Sequence, residues 1–191
     1  MLMALMNVLP LGARRRRSPK SSARYRFSAC NKGAAAVEFG LVAAPFLGLL
    51  VALFQTALVF FAGRVLDETT EEASRIILTG QAASENMTAA KFATWVCGET
   101  FALFNCNEFM INVQSYDSFS SANTTTPTLT FNAQGQVTNT WNFDLGNPGD
   151  IIVVQVMYQW GNIVGPLGFN MANLPNGNIL MVSTAAFKNE P

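Results

Sequence analysis

The longest unbroken pattern in the chain is apolar. From Phe39 to Gly63, twenty-five residues pass without a charge, most of them Leu, Val, Phe and Ala. As a helix this run is ~37 Å long, enough to cross a hydrocarbon core of ~30 Å. A secretory signal has an apolar core of only ~7–15 residues, so the run predicts a membrane anchor. Pro45 near its start removes one backbone donor, which membrane helices accommodate by local adjustment. The helix is expected to continue past the run, because Val65, Leu66, Ala73, Ile76 and Ile77 keep an apolar stripe. Arg64/Glu68 and Glu71/Arg75 are spaced for i,i+4 pairing, and Gly80 is the expected stop. A second amphipathic helix is expected from about Ser84 to Phe101, with Phe92, Trp95 and Val96 on its buried side.

Downstream the period changes to two. Phe109, Ile111 and Val113 alternate with Met110, Asn112 and Gln114, which predicts a strand over Phe109–Tyr116. Residues 128–132 and 137–143 predict a hairpin around Ala133–Gly135, with Leu129, Phe131, Val137, Trp141 and Phe143 as its apolar positions. Asn147-Pro148-Gly149-Asp150 is a strong turn signal. Ile151–Trp160 then alternates, with Ile152, Val154, Val156, Tyr158 and Trp160 on one face and Gln155 and Gln159 on the other. A Gly/Pro/Asn-rich loop, Gly161–Gly177, precedes a last strand, Ile179–Phe187. The expected fold is α+β: a long N-terminal transmembrane helix, then a small domain with an antiparallel sheet. The expected division is a leader over 1–33, the helix and its extension over 34–81, and an extracytoplasmic domain over 82–191.

Charge gives the anchor a direction. The chain is formally neutral, with twelve basic and twelve acidic residues. Residues 1–33 hold eight of the basic ones and no acidic one, so the leader carries +8 and the remainder −8. The positive-inside rule places the leader in the cytoplasm and the long C-terminal part outside it. Arg14–Arg17 therefore reads as a topology signal. It lacks the interleaved aromatics of a nucleic-acid arm, and no nucleic-acid partner is expected. An Arg/Ser-rich, acid-free leader also suits an organelle transit peptide, but the length of the span that follows counts against it.

Lys32-Gly33-Ala34-Ala35-Ala36-Val37-Glu38-Phe39 is the stretch that carries chemistry. A glycine follows a basic residue at the membrane boundary, small residues follow the glycine, and a lone carboxylate stands at the edge of the span. Acidic residues at this depth are costly and usually have a partner. A cut after Gly33 would supply one: the α-amine of Ala34, with an ordinary pKa of about 7.7–8.0, one helical turn from Glu38 or within reach of Glu38 on a neighbouring subunit. Without such a cut, the same residues are a helix entry with an interfacial carboxylate.

This stretch resembles the processing site of prepilin-like proteins. Ala34–Pro45 is similar to the start of TadE-like proteins of the tight-adherence (Flp) pilus system. Arg75-Ile76-Ile77-Leu78-Thr79-Gly80-Gln81 resembles the R-x-I-x-T-G-Q that follows the membrane helix in that family, and Lys188-Asn189-Glu190-Pro191 resembles its terminal R-N-E-P, with lysine for arginine. The leader is long for a prepilin, and Met3 and Met6 as alternative starts shorten it little. The resemblance implies a minor pseudopilin with a pilin-like domain, cleaved by a prepilin peptidase after Gly33 and needed to assemble or attach an adhesive pilus. It implies a role for Glu38 in subunit recruitment, a bacterial inner-membrane location, and partnership with other pilin-like subunits and the Tad secretion machinery. The alternative is an unprocessed, signal-anchored envelope protein whose external domain binds a ligand or surface.

Cys30 lies in the leader, while Cys97 and Cys106 lie close together downstream. That arrangement suits a thiol on the reducing side and one disulfide on the oxidising side. Two cysteines with no histidine anywhere make a poor zinc set. Asp117, Asp144 and Asp150 are expected in solvated turns. Asn86-Met87-Thr88 and Asn123-Thr124-Thr125 match glycosylation acceptors, a match with little meaning in a bacterial protein. No nucleophile elbow, phosphate loop or Cys/His constellation is present, so no catalytic residue, metal site or cofactor is expected.

Overall fold

The computed structural model describes residues 33–100, 103–161 and 170–190. The basic leader and Cys30 lie outside the described residues. The chain divides into two units, 1–45 and 46–191. In the first, helix α1 (Ala34–Leu78) begins directly after Gly33, and its side chains are exposed, apart from half-buried Ala43. Pro45 is accommodated inside the helix.

In the second unit α1 continues, followed by α2 (Gln81–Ser84), α3 (Ala89–Glu99) and three strands, β1 (Met110–Tyr116), β2 (Ile151–Trp160) and β3 (Ile179–Lys188). The sheet is antiparallel in the order β1-β2-β3, with Val113 opposite Val154 and Val154 opposite Ala185. The class is α+β, with a long apolar helix preceding a small antiparallel sheet.

The expected stripe on α1 is the part that buries. Ala62, Val65, Leu66, Thr69, Thr70, Ala73, Ser74, Ile76 and Ile77 recur at helical spacing and form one inward face. The stripe joins Phe92 and Val96 of α3 and Ile152, Val154, Val156 and Tyr158 of β2 in one core. Its hydroxyls are satisfied within the helix: Thr69, Thr70 and Ser74 donate to the carbonyls of Val65, Leu66 and Thr70 at 2.9, 2.7 and 2.7 Å. Polar atoms on this face thus need nothing from the sheet.

Gly80 ends the run as expected, at φ 71°, a left-handed conformation that costs residues with a Cβ roughly 1–2 kcal/mol. The next helix starts later than expected, at Ala89 rather than Ser84. Residues 81–84 form their own turn of helix, Asn86 turns the chain at φ 49°, and Thr88 caps α3 by accepting from the Lys91 N–H. Phe92 and Val96 are fully buried, whereas Trp95 is only half-buried.

Two further expectations are corrected. The i,i+4 ion pairs do not form. Among the described residues the one ion pair is Arg64–Asp67, at 3.8 Å between exposed side chains, a geometry of little energetic consequence. The 128–143 hairpin is reduced to a single bridge, Phe131–Val137. Two backbone bonds flank the bridge, from the Asn132 N–H to Gln136 O and from the Thr138 N–H to Thr130 O, both at 2.9 Å, and amide side chains take up neighbouring backbone groups. Asn139 Oδ1 accepts from the Thr130 N–H at 2.7 Å, Asn139 Nδ2 donates to the Thr128 carbonyl at 3.0 Å, and Asn132 Oδ1 accepts from the Gln136 N–H at 2.8 Å. Such bonds compete with a ladder. Residues 142–144 bind the free edge of β1, where Asn142 O accepts from the Val113 N–H and Val113 O from the Asp144 N–H, at 2.9 and 3.0 Å.

The segment between β1 and β2 also covers the sheet face away from the helices. Every residue from Ile151 to Tyr158 is buried, on both faces of β2. Gln155 is satisfied there, accepting from the Asn112 amide across the strands and donating to the Thr125 carbonyl, both at 3.0 Å. Each bond answers a buried polar atom.

Candidate functional site

The site proposed from sequence begins where α1 begins. Gly33 is exposed, and a Cβ built on it meets nothing within 4 Å. Neither packing nor a left-handed backbone therefore requires glycine at this position. Ala34 opens the helix, and Glu38, four residues on, shares its face. Glu38 is exposed, and among the described residues no cation pairs with it. Phe39, Leu41 and Val42 around it are 69–75% exposed. The structure thus places a carboxylate with no ion-pair partner among the described residues amid exposed apolar side chains, a single turn from the residue that a cut after Gly33 would make N-terminal.

The helix is long and apolar enough to cross a membrane. Its apolar run, however, serves two environments. Phe46, Leu47, Leu49, Leu50, Leu53 and Phe54 are exposed, while from Gln55 onward one side turns inward. Residues 34–54 alone make about 31 Å of helix, the thickness of a hydrocarbon core. The span read as Phe39–Gly63 therefore overlaps the domain at its far end, where Ala62 is part of the core.

At the other end of α1 the two remaining motif segments come together. The Glu190 N–H donates to the Leu78 carbonyl at 3.2 Å, satisfying one of the orphan carbonyls of the helix end. Asn189 ties the terminus down. Its side-chain amide reaches the carbonyls of Leu145 and Asn147 at 3.2 and 3.4 Å, its N–H donates to Asp150 O at 2.8 Å, and its own carbonyl accepts from Gly149 at 2.9 Å. Sequence reasoning noted Asn189 only as part of a family-like ending. The turn signal at 147–150 is what it grips. Asp150 closes that turn by accepting from the Asn147 N–H at 2.7 Å.

Cys97 and Cys106 face one another with Cα atoms 5.4 Å apart, within disulfide range. A bond between them would join the end of α3 to the short turn of helix before β1. Beside them, Phe104 packs edge-on to Tyr158, with ring centroids 4.9 Å apart, and burial raises the Tyr158 phenol above its usual pKa. Asp144, expected simply to be solvated, organises its turn. The Ser115 hydroxyl and then the Gly146 N–H donate to its carboxylate and hold its pKa below the ordinary value. Among the described residues no three His, Cys, Asp or Glu side chains lie together as a metal site.

Residues 33–75 match the family model described as TadE-like protein. Over this stretch the chain is similar to TadE-like proteins. The match opens on Gly33, the residue before the helix, and runs to Arg75 in its last turn. No curated protein and no solved structure matches the chain. The TadE-like segment thus covers α1 almost entirely, and the sheet domain is described by its own geometry.

Proposed function

We propose that this TadE-like chain is a minor pseudopilin of a Tad (Flp)-type pilus, with a structural rather than catalytic role in assembling or attaching that pilus. A prepilin peptidase cuts after Gly33. The mature chain begins at Ala34 and is held in the bacterial inner membrane by the first half of α1. The +8 leader stays cytoplasmic, and the domain from residue 82 onward lies outside, where Cys97 and Cys106 are oxidised. Glu38 pairs with an Ala34 amine, on its own or a neighbouring pilin-like subunit, and so recruits subunits to the Tad machinery.

One observation carries the reading: the family match, the helix and the glycine share a boundary. Among the described residues nothing in the packing requires glycine at position 33, so its value lies in recognition of the leader by another protein. Glu38 is explained in the same terms. A carboxylate at the membrane edge, with no ion-pair partner among the described residues, gains charge-assisted hydrogen bonds from an amine where the dielectric is low.

Glu38→Gln keeps shape and insertion while removing the charge. The variant is expected to insert, to be cleaved and to reach normal levels, yet to leave cells without pili. Glu38→Asp, shorter by one methylene, keeps part of the function. Normal piliation by the Gln variant would mean that the carboxylate is incidental and would remove the recruitment mechanism.

A further inference from the structure

The covering segment between β1 and β2 leaves an open cleft of about 540 Å³ at one end of the sheet, on the face away from the helices. Its floor is Met110 and Gln159, and its walls are residues 107–109, 135–141 and 176–178. The volume is in the range of small-ligand sites, about 300–1,000 Å³, but the lining is polar where such sites are mostly apolar. Glu108 is the one charged residue among those that line it, and none is basic. An anionic ligand would find no counter-charge, and an apolar one would leave the lining amides without hydrogen bonds.

Amides and one indole make up the working surface. Asn139 Oδ1 and Gln159 Oε1 are engaged in holding the walls, accepting from the Thr130 N–H at 2.7 Å and the Asn176 amide at 2.8 Å. Those two bonds make the cleft a formed surface. Other donors are left over. Among the described residues, the side-chain N–H groups of Asn107 and Gln136 and the indole N–H of Trp141 donate to no protein group. Glu108 adds a carboxylate, one oxygen of which accepts from Asn105 at 2.7 Å.

We infer that this cleft binds a neutral glycan. The Asn107 side-chain amide offers a donor and an acceptor in one plane, the pattern that adjacent sugar hydroxyls, themselves donor and acceptor, can meet, and Gln136 and Trp141 add further N–H donors. A half-buried Trp offers an apolar face for the C–H side of a pyranose together with a polar N–H at its edge. The inference does not rest on cleavage at Gly33 or on pilus assembly. It gives the domain a ligand in either case.

The test uses the full chain in a detergent that carries no sugar headgroup. Short neutral oligosaccharides of hexose and of N-acetylhexosamine are titrated by calorimetry and Trp fluorescence, beside an oligouronate and an uncharged Gly/Ser peptide. At least one neutral glycan is expected to bind saturably, with the oligouronate weaker and the peptide silent. Trp141→Ala should weaken binding by about tenfold or more, as loss of a stacked aromatic predicts. Asn107→Ala, at an exposed position, should weaken it severalfold with unchanged thermal unfolding. Should the alanine variant of Trp141 unfold, Trp141→Phe, which keeps a ring but removes the N–H, must still reduce affinity. The inference is overturned if no neutral glycan binds, if the Trp141 and Asn107 variants bind as well as the parent, or if the peptide or the oligouronate is preferred.

Discussion

Residues 34–54 and residues 62–77 belong to the same helix, yet they dispose their apolar side chains in opposite ways. In the first stretch the large side chains point outward all round the helix. Phe39, Leu41, Val42, Leu53 and Phe54 are each 59–75% exposed. In the second, apolar residues fall on one stripe, and Leu66, Ile77 and Ala73 are at most 2% exposed against α3 and β2. A helix apolar all round belongs in a membrane, and a helix apolar on one face belongs on a domain. The spacing of polar residues is what separates the two stretches. Asp67, Glu68, Glu71, Glu72 and Arg75 occupy the face that the stripe leaves free. A helix built this way can anchor a domain and nucleate its core at once.

The difference sets the size of the effects that mutations should have. Leu66→Ala opens a cavity in the core and should cost about 2–5 kcal/mol of domain stability. Leu53→Ala, on the same helix, should change it by no more than about 0.5 kcal/mol. Denaturant unfolding followed by Trp fluorescence separates the two, and equal losses would erase the distinction between the stretches. Next in size is the link between Cys97 and Cys106. If it forms in the exported protein, replacing both by Ala should lower stability by about 2–3 kcal/mol, the entropy of so short a loop. Non-reducing peptide mapping should find the pair linked, and two free thiols would contradict it.

Gly80→Ala probes the point where the stripe ends. Its φ of 71° requires the left-handed region, so Ala should cost roughly 1–2 kcal/mol. Gly33→Ala should leave stability unchanged, since a Cβ there meets nothing. A small effect concerns acid. The Asp144 carboxylate is held below its ordinary pKa of 3.8 by Ser115 and then by Gly146. A depressed folded pKa contributes stability above the unfolded value, and that contribution fades as pH falls through the folded one. Asp144→Asn should flatten the part of the acid unfolding curve below about pH 4 and lower stability slightly at neutral pH.

Period and punctuation made much of the fold readable in advance. The α1 stripe, the Gly80 stop and all three strands follow from spacing, with β2 at its predicted bounds and β1 and β3 within one residue. Residues 117–145 were not readable as they fold. Their apolar alternation suggests a hairpin, but Asn132 and Asn139 satisfy backbone groups that a ladder would need, and pattern reasoning does not weigh that competition. Gln155 misleads for a related reason. A glutamine facing away from the main core suggests solvent, and only the Thr125 carbonyl above it makes burial tolerable. Of the proposed site, Gly33 and Glu38 stand out in the sequence alone, because a lone carboxylate at the start of a long apolar run is conspicuous. The grip of Asn189 on the 147–150 turn and the Leu78–Glu190 contact depend on residues far apart in sequence, and the polar cleft assembles from four separate segments.

The pseudopilin role depends on where the mature protein begins. N-terminal sequencing of the membrane-bound chain, from cells with an active prepilin peptidase, reads this directly. Gly33→Val serves as the control, since it leaves the fold intact. The expected first residue is Ala34, with the Val variant retaining its leader. A leader still attached to the parent chain in those cells would contradict the pseudopilin reading and leave an unprocessed membrane anchor carrying an external domain.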